Sequence, residues 1–341
     1  MKALFLLSPG KTEIREISMP VPGKNEVLLK VGMVGFCGSD LNGYRGLFEL
    51  QEYPSILGHE VSASIEKAGS NVPAEFKTGT KVTINPYLSC GKCVSCRKGR
   101  PNACQDNKTM GVRRPGALTE YITVPWDTIY PSSILSFKEL ALVEPLTVGF
   151  HAAKRGRVCS EDIVAVIGCG IVGMGALVGS VYRGAEVIAI DVDDTKMALA
   201  KKAGAAHIIN TSKVDLHQAL SEITGGDGPD VIIEAVGNDF TYKAAVEEVA
   251  YTGRVVYIGY AKKPVEYNTG IFVKKEIEIM GSRNCLGDFP DVIKYLESGT
   301  FPVDDVVSRI VPLEKAGEAL SDWAANTGKV TKIMVQVSSC Y

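Results

Sequence analysis

The chain has 341 residues, 45% hydrophobic and 22% charged, with 37 basic residues against 39 acidic ones and a net charge of -2. That length exceeds one ordinary core and predicts two or three domains, and the near balance of charge gives no general drive toward nucleic acid or an anionic membrane. Five apolar residues in a row follow Lys2, too few for a signal segment, and no run approaches the eighteen of a membrane helix, so we expect a cytoplasmic protein.

The first 150 residues read as β-rich and irregular. Val27–Val31 and Lys81–Ile84 are strand-like, and prolines such as Pro54, Pro86, Pro115 and Pro125 break up helices. Gly35 and Gly38 bracket Cys37 and predict a tight turn that presents its thiol, with Ser39 and Asp40 following. Further on stand His59-Glu60, just behind Gly58, and Glu144 in Val143-Glu144-Pro145. Thiolate, imidazole and carboxylate are the ligand types of a catalytic zinc with one open position, which makes Cys37, His59, Glu60 and Glu144 candidates; the competing reading is a core histidine and a small buried cysteine. Ser39 either relays a proton from a bound alcohol or makes a local turn hydrogen bond. Adjacent residues of a strand point to opposite faces, so His59 and Glu60 share one ion only if the chain bends, which Gly58 permits; His59 is then the fixed ligand and Glu60 the exchangeable one, competing with Glu144.

Cys90, Cys93, Cys96 and Cys104, with Gly91, Gly99 and Pro101 between them, have the spacing of a closed tetrahedral Cys₄ zinc site that folds a loop. The bacterial iron–sulfur pattern ends in three residues and then Cys-Pro, which this segment lacks. Nine cysteines, an odd number with four clustered, fit metal binding better than a secreted disulfide framework.

Near residue 150 the texture changes. The apolar run Ile163–Ile167 enters Gly168-Cys169-Gly170-Ile171-Val172-Gly173 and then a helix, the setting a dinucleotide loop requires. Gly168 allows the tight turn, Gly170 the approach of a pyrophosphate, Gly173 close packing of helix on strand, and the helix N-terminus at Ile171 and Val172 offers N–H groups to phosphate. The next strand, Glu186–Ile190, ends in Asp191, placed to accept from ribose hydroxyls and repel a 2′-phosphate, so NAD is expected over NADP; Lys196 pulls mildly the other way. Asp193 or Asp194 caps the following helix, Thr195 to Ala203. Strands at 207–210, 231–235, 254–258 and 277–280, with helices at 216–223 and 242–250, complete six parallel strands, a doubly wound α/β sheet. Val236-Gly237 and Ile258-Gly259 lie at strand ends, either flanking the nicotinamide or simply turning. Arg283 and Asn284 follow the sixth strand; an arginine there is a surface charge or a clamp for a carboxylate or hydroxyl-rich substrate. A helix at 290–297 and a strand at 332–337 close the chain.

On Gly58-His59-Glu60, Cys37-Gly38-Ser39-Asp40, the Cys90–Cys104 lobe, Glu144-Pro145-Leu146 and the Gly168–Gly173 loop together, the whole chain resembles the zinc-dependent medium-chain dehydrogenases. Glu144, where liver alcohol dehydrogenases have cysteine, resembles the polyol and L-threonine dehydrogenase branch, and Met280–Asn284 is most similar to sugar-acid enzymes such as L-galactonate or L-gulonate 5-dehydrogenase. The resemblance implies a GroES-like catalytic domain at 1–150 with a zinc lobe at 88–106, a Rossmann coenzyme domain at 151–285, and a return to the first domain at 286–341. It implies two zinc ions and NAD per chain, with zinc lowering the pKa of a secondary alcohol of a polyol or sugar acid, Ser39 taking its proton and NAD its hydride. Charge counting adds that Glu60 and Glu144 do not both bind directly alongside an alkoxide. The branch commonly carries histidine five residues after the zinc cysteine; Asn42 stands there and cannot relay a proton. L-Threonine 3-dehydrogenase is the alternative activity, and a non-catalytic NAD sensor the alternative of another class. The expected partner is a small-molecule substrate, and the expected assembly a homodimer or homotetramer.

Overall fold

The structure is a computed structural model that describes residues 1–326, 328 and 330–338. The chain divides into two compact units. One gathers Met1–Glu144, Phe289–Glu297 and Val303–Tyr341, of which residues 327, 329 and 339–341 lie outside the described set; the other gathers Pro145–Asp288 and Ser298–Pro302.

The first unit is built on a seven-stranded sheet centred on the strand Glu26–Gly35, which pairs antiparallel with Glu60–Ala68, Tyr121–Pro125 and Ile333–Gln336. Apolar residues of these strands, among them Leu29, Val34, Val61, Ile65 and Val335, form its buried core. The C-terminal strand therefore closes on the strand leading to Cys37, with Met334 opposite Gly35. The longest helix, Phe137–Arg155, departs from the irregular reading of this region and runs straight through Pro145; proline there removes one helical hydrogen bond, and eighteen other residues sustain the helix around it.

In the second unit the strands run in the order His207–Asn210, Glu186–Asp191, Ile163–Ile167, Val231–Glu234, Arg254–Tyr257, Glu278–Gly281, and every neighbouring pair is parallel. The strand that comes first in the chain is central and the order reverses beside it, the hallmark of a doubly wound sheet. Asp193 caps the helix Asp194–Lys202 by accepting from Thr195 and Lys196 N–H. No helix of the described residues is long and apolar enough to cross a membrane.

The glycine loop shows why glycine is needed twice. Gly168 has φ of +95°, in the left-handed region. A Cβ on Gly173 would lie 1.7 Å from Gly168 O, a backbone atom that no rotamer change can move. Gly173→Ala is expected to lower stability by about 1–3 kcal/mol, the usual range for overpacking, measured as the shift in urea midpoint at unchanged slope. A variant that matches the parent protein would show that loop and helix separate easily.

Candidate active site

Cys37 precedes the short helix Gly38–Tyr44, and His59 immediately precedes the strand Glu60–Ala68. Asp40 ties the two segments together: its buried carboxylate accepts from Cys37 N–H at 2.8 Å and from Gly58 N–H at 3.3 Å. Gly58, at φ of +95°, supplies the bend before His59. The result is that a ligand atom from each of Cys37, His59 and Glu60 lies within 4.8 Å of the others, so the adjacent pair does reach one point. Glu144 is buried, outside that group, and accepts a hydrogen bond from the Tyr87 hydroxyl. The structure thus places three of the four candidate ligands on one centre and gives the fourth a phenolic partner.

The glycines around Cys37 have a different purpose from the expected turn. Gly35 lies within a strand, and a Cβ there would sit 2.1 Å from Glu60 Oε2: glycine makes room for the carboxylate. Gly38 has neither a positive φ nor a neighbour within 4 Å of where a Cβ would stand, so no turn demands it. Glu60 Oε2 pairs with Lys332, which is 2% exposed and also donates to Phe36 O at 2.9 Å. Lys332 does not stand out as a site residue in the sequence, and Asp40 enters there only as part of the Cys37–Asp40 motif; what each holds is seen only in the fold.

Electrostatically the cluster calls for a cation. Burial alone would lower the His59 pKa, but the Cys37 charge, aided by Asp40 and Glu144, outweighs it and holds the imidazole well above its ordinary value. Burial pushes Glu60 up to about 7, against the pull of Lys332 and with the help of Glu144. His59 Nδ1, Glu60 Oε1 and Ser39 Oγ are buried without a hydrogen-bond partner among the described residues. Buried polar atoms left open around a thiol and a carboxylate fit a metal ion. Asn42 lies within the helix after Cys37.

Cys90, Cys93, Cys96 and Cys104 also form one group with all four sulfurs within 4.8 Å, and they are free of disulfides. Gly91 and Gly99 take positive φ in the loop. Ser95 Oγ, 3.1 Å from Cys93 Sγ, together with backbone N–H groups, draws the Cys93 thiol down to about 5, the thiolate character that zinc requires. Four sulfurs leave no open position, which fits a structural ion.

In the second unit a cavity of about 380 Å³ is lined by Gly168, Gly170, Asp191, Lys196 and Val236 from the expected set. Gly170 heads the helix Ile171–Val181 and has nothing within 4 Å of where a Cβ would stand, so a ligand can approach its backbone. Asp191 is more than a rim group: its carboxylate accepts from Cys169 N–H at 2.7 Å, Val192 N–H at 2.7 Å and Asp193 N–H at 3.1 Å. Ile171, Val172, Gly173, Gly237, Ile258 and Gly259 are not among the lining residues. Gly237 and Gly259 pack on each other, a Gly259 Cβ standing 2.4 Å from Gly237 N. No sequence motif singles out Glu234, yet one of its oxygens accepts from Val236 N–H, Gly237 N–H and the Thr241 hydroxyl, at 2.8, 2.7 and 2.8 Å, fixing the strand-end loop. Arg283 is exposed and Asn284 half-buried with φ of +52°.

A thiol–imidazole–carboxylate centre and a Cys₄ lobe, in a chain that also carries a doubly wound sheet with a glycine loop, point to a metal-dependent dehydrogenase. Residues 23–134 match the alcohol dehydrogenase GroES-like domain and residues 172–298 the zinc-binding dehydrogenase domain. The chain is 33% identical to sorbitol dehydrogenase of Bacillus subtilis, over 98% of this chain and 97% of that one. It is 29% identical to L-galactonate-5-dehydrogenase of Escherichia coli, over 97% and 98%. Among solved structures, an alcohol dehydrogenase from Escherichia coli complexed with NADH has a TM-score of 0.91 at 28% identity, covering 99% of both chains. A zinc-binding dehydrogenase from Sinorhizobium meliloti bound to NADP has a TM-score of 0.92 at 29% identity, covering 98% and 99%. The chain belongs to the zinc-binding alcohol dehydrogenase family and is an oxidoreductase.

In metal-free protein Glu60 keeps its proton up to about pH 7, whereas the unfolded carboxyl, near 4.5, has already lost it; this group therefore costs stability as pH rises between those values. A metal ion must displace the same proton. Zinc affinity of the Cys37 cluster is expected to rise more than about tenfold from pH 6 to pH 8, one proton displaced giving tenfold per unit below its pKa. Chelator competition measures it, and Glu60→Gln should flatten the slope; an equally steep slope in that variant would remove Glu60 from the coordination.

Proposed function

We propose that the protein oxidises a secondary alcohol of a polyol or sugar acid to the ketone, with NAD as hydride acceptor. The observation that carries this reading is the meeting of half-buried Cys37 with buried His59 and Glu60 on one point. These three residues would hold the catalytic zinc, and Cys90, Cys93, Cys96 and Cys104 the structural one. When bound, the catalytic zinc would supply Lewis acidity at the substrate oxygen and NAD would supply the hydride acceptor. Overall, alcohol and NAD⁺ give ketone, NADH and one proton.

The chain's own residues arrange the rest. Ser39 Oγ is buried and uncommitted, so it can accept the substrate proton. Asn42 offers no titrating group to pass it on. Glu144, bonded to the Tyr87 hydroxyl, stands off the three-residue centre, in keeping with the charge limit on two direct carboxylates. The names of the relatives, a sorbitol and an L-galactonate dehydrogenase, support the polyol and sugar-acid class. On the cofactor side Asp191 borders the cavity behind Gly168 and Gly170, which supports NAD, although relatives have been solved with NADH and with NADP. Arg283 and Asn284 are retained as substrate contacts.

A panel of polyols, aldonates and L-threonine assayed with NAD and NADP tests the activity, and metal analysis is expected to find two zinc ions per chain. Oxidation of L-threonine alone, or loss of one zinc without loss of turnover, would refute the assignment. Asp191→Ser is expected to narrow the preference for NAD over NADP by about tenfold or more, on the scale of one lost charge-assisted hydrogen bond. Unchanged selectivity would remove Asp191 from the ribose contact.

A further inference from the structure

Tyr87 belongs by its backbone to the Cys₄ lobe and by its side chain to the surroundings of the other centre. With Leu88 it forms a short strand that pairs antiparallel with Lys108–Thr109, Tyr87 opposite Thr109 and Leu88 opposite Lys108. Cys90, Cys93, Cys96 and Cys104 all lie between these two strands, so the ribbon is the base of the lobe. A two-stranded ribbon so short does not hold by its own pairing. Two fastenings close it. At the far end the four sulfurs gather within 4.8 Å of one another, and Cys90 N–H donates to Cys104 Sγ at 3.3 Å. At the near end Arg114 reaches both sides, its Nε donating to Lys108 O at 3.1 Å and its Nη2 to Pro86 O at 3.2 Å, and Met110 N–H donates to Pro86 O at 3.0 Å.

From this base the Tyr87 hydroxyl donates to Glu144 Oε1, and Glu144 is buried. The charge of that carboxylate is felt at the Cys37 centre, where it helps to raise both His59 and Glu60. Yet Glu144 does not join the group that Cys37, His59 and Glu60 form within 4.8 Å. A buried carboxylate whose charge reaches two ligands is drawn to the cation they hold unless another donor occupies it. Tyr87 is such a donor, and its place is set from the lobe.

We propose that Tyr87 is a positioning residue: the Cys₄ lobe sets the place of its hydroxyl, and the hydroxyl keeps Glu144 out of the coordination of the catalytic metal. This rests on the reading of Cys37, His59 and Glu60 as the holders of that metal. The charge count gives the bond its purpose. A Cys37 thiolate and a Glu60 that shares its charge with Lys332 leave a divalent ion net positive. A second direct carboxylate would cancel that surplus, binding the ion more tightly and weakening it as a Lewis acid. The lobe then does more than fold its own loop, because its closure decides how many carboxylates the other ion meets.

The test places cobalt in the Cys37 centre, with zinc kept in the lobe, and compares the wild type, Tyr87→Phe, and Tyr87→Phe combined with Glu144→Gln. Cobalt absorbs visible light more weakly with five ligands than with four, so the spectrum counts ligands without turnover. Tyr87→Phe is expected to weaken the visible bands and to raise the affinity of the centre for zinc about tenfold or more in chelator competition, the scale of one charged contact. kcat should fall with KM little changed, as expected when the Lewis acid is blunted. Adding Glu144→Gln should restore the wild-type bands, which a packing defect at position 87 would not do. Arg114→Gln opens the base of the lobe while leaving Tyr87 and every cysteine in place, and should move spectrum and affinity the same way by a smaller factor. Bands and affinity unchanged in Tyr87→Phe, or changed equally with and without Glu144, overturn the proposal, and an unmoved spectrum in Arg114→Gln removes the lobe from it. A wild type that takes up no metal at Cys37 would overturn the function above and this inference together, whereas a metal-loaded protein that oxidises no alcohol would end the function alone.

Discussion

The constraint on which the first unit turns is the burial of the Glu60 carboxyl against Lys332 beside Cys37 and His59. Glu60 has no exposure and Lys332 only 2%, and the two are side by side. Either charge alone in that place would be costly, on the order of 3–5 kcal/mol for a buried pair that loses one member. Two features of the backbone make the pairing possible. Gly35 leaves the space that a side chain would take from Glu60 Oε2, and the pairing of Met334 with Gly35 brings Lys332 to the end of the same strand. The C-terminal strand is therefore part of the foundation of the Cys37–His59–Glu60 cluster, and a carboxylate already shared with a lysine would be a metal ligand of reduced charge.

That sharing bears on how strongly a metal would act. A thiolate and one full carboxylate neutralise a divalent ion, and a second full carboxylate would blunt it as a Lewis acid. In this centre Glu60 divides its charge with Lys332, while Glu144 accepts from Tyr87 and stands outside the close group. Both arrangements leave positive charge for a substrate oxygen. Asp40, the third carboxylate of this neighbourhood, is occupied by the N–H groups of Cys37 and Gly58 and acts by fixing the ligand segments.

What is legible in the sequence is what is local in it. Four cysteines between positions 90 and 104, and a glycine loop between an apolar run and a helix, carry their geometry in their spacing, because the residues that meet are a few positions apart. Residues whose partners are remote give no such signal. Lys332 meets Glu60 and Phe36 across most of the chain, Arg114 meets Pro86 through a loop, and Tyr87 meets Glu144 across 57 positions. Gly35 misleads for the same reason: a glycine beside a cysteine suggests a turn, and only the opposite strand shows that it clears space for a carboxylate. The helix through Pro145 is hidden because proline is a local veto, whereas the packing that overrides it is not local.

The second unit concentrates two duties on one side chain. Asp191 stands where a ribose hydroxyl would be read, and it also holds Cys169, Val192 and Asp193 by their N–H groups. A carboxylate has about four lone-pair sites, so three backbone bonds leave room for one more and fix the direction in which it points. The bond to Cys169 runs into the glycine loop itself, so the carboxylate proposed to read the cofactor's sugar also fixes the shape of that loop. A change at Asp191 therefore alters selectivity and loop geometry together, whereas Lys196 and the exposed Val192, on the rim of the same cavity, can vary without releasing the loop.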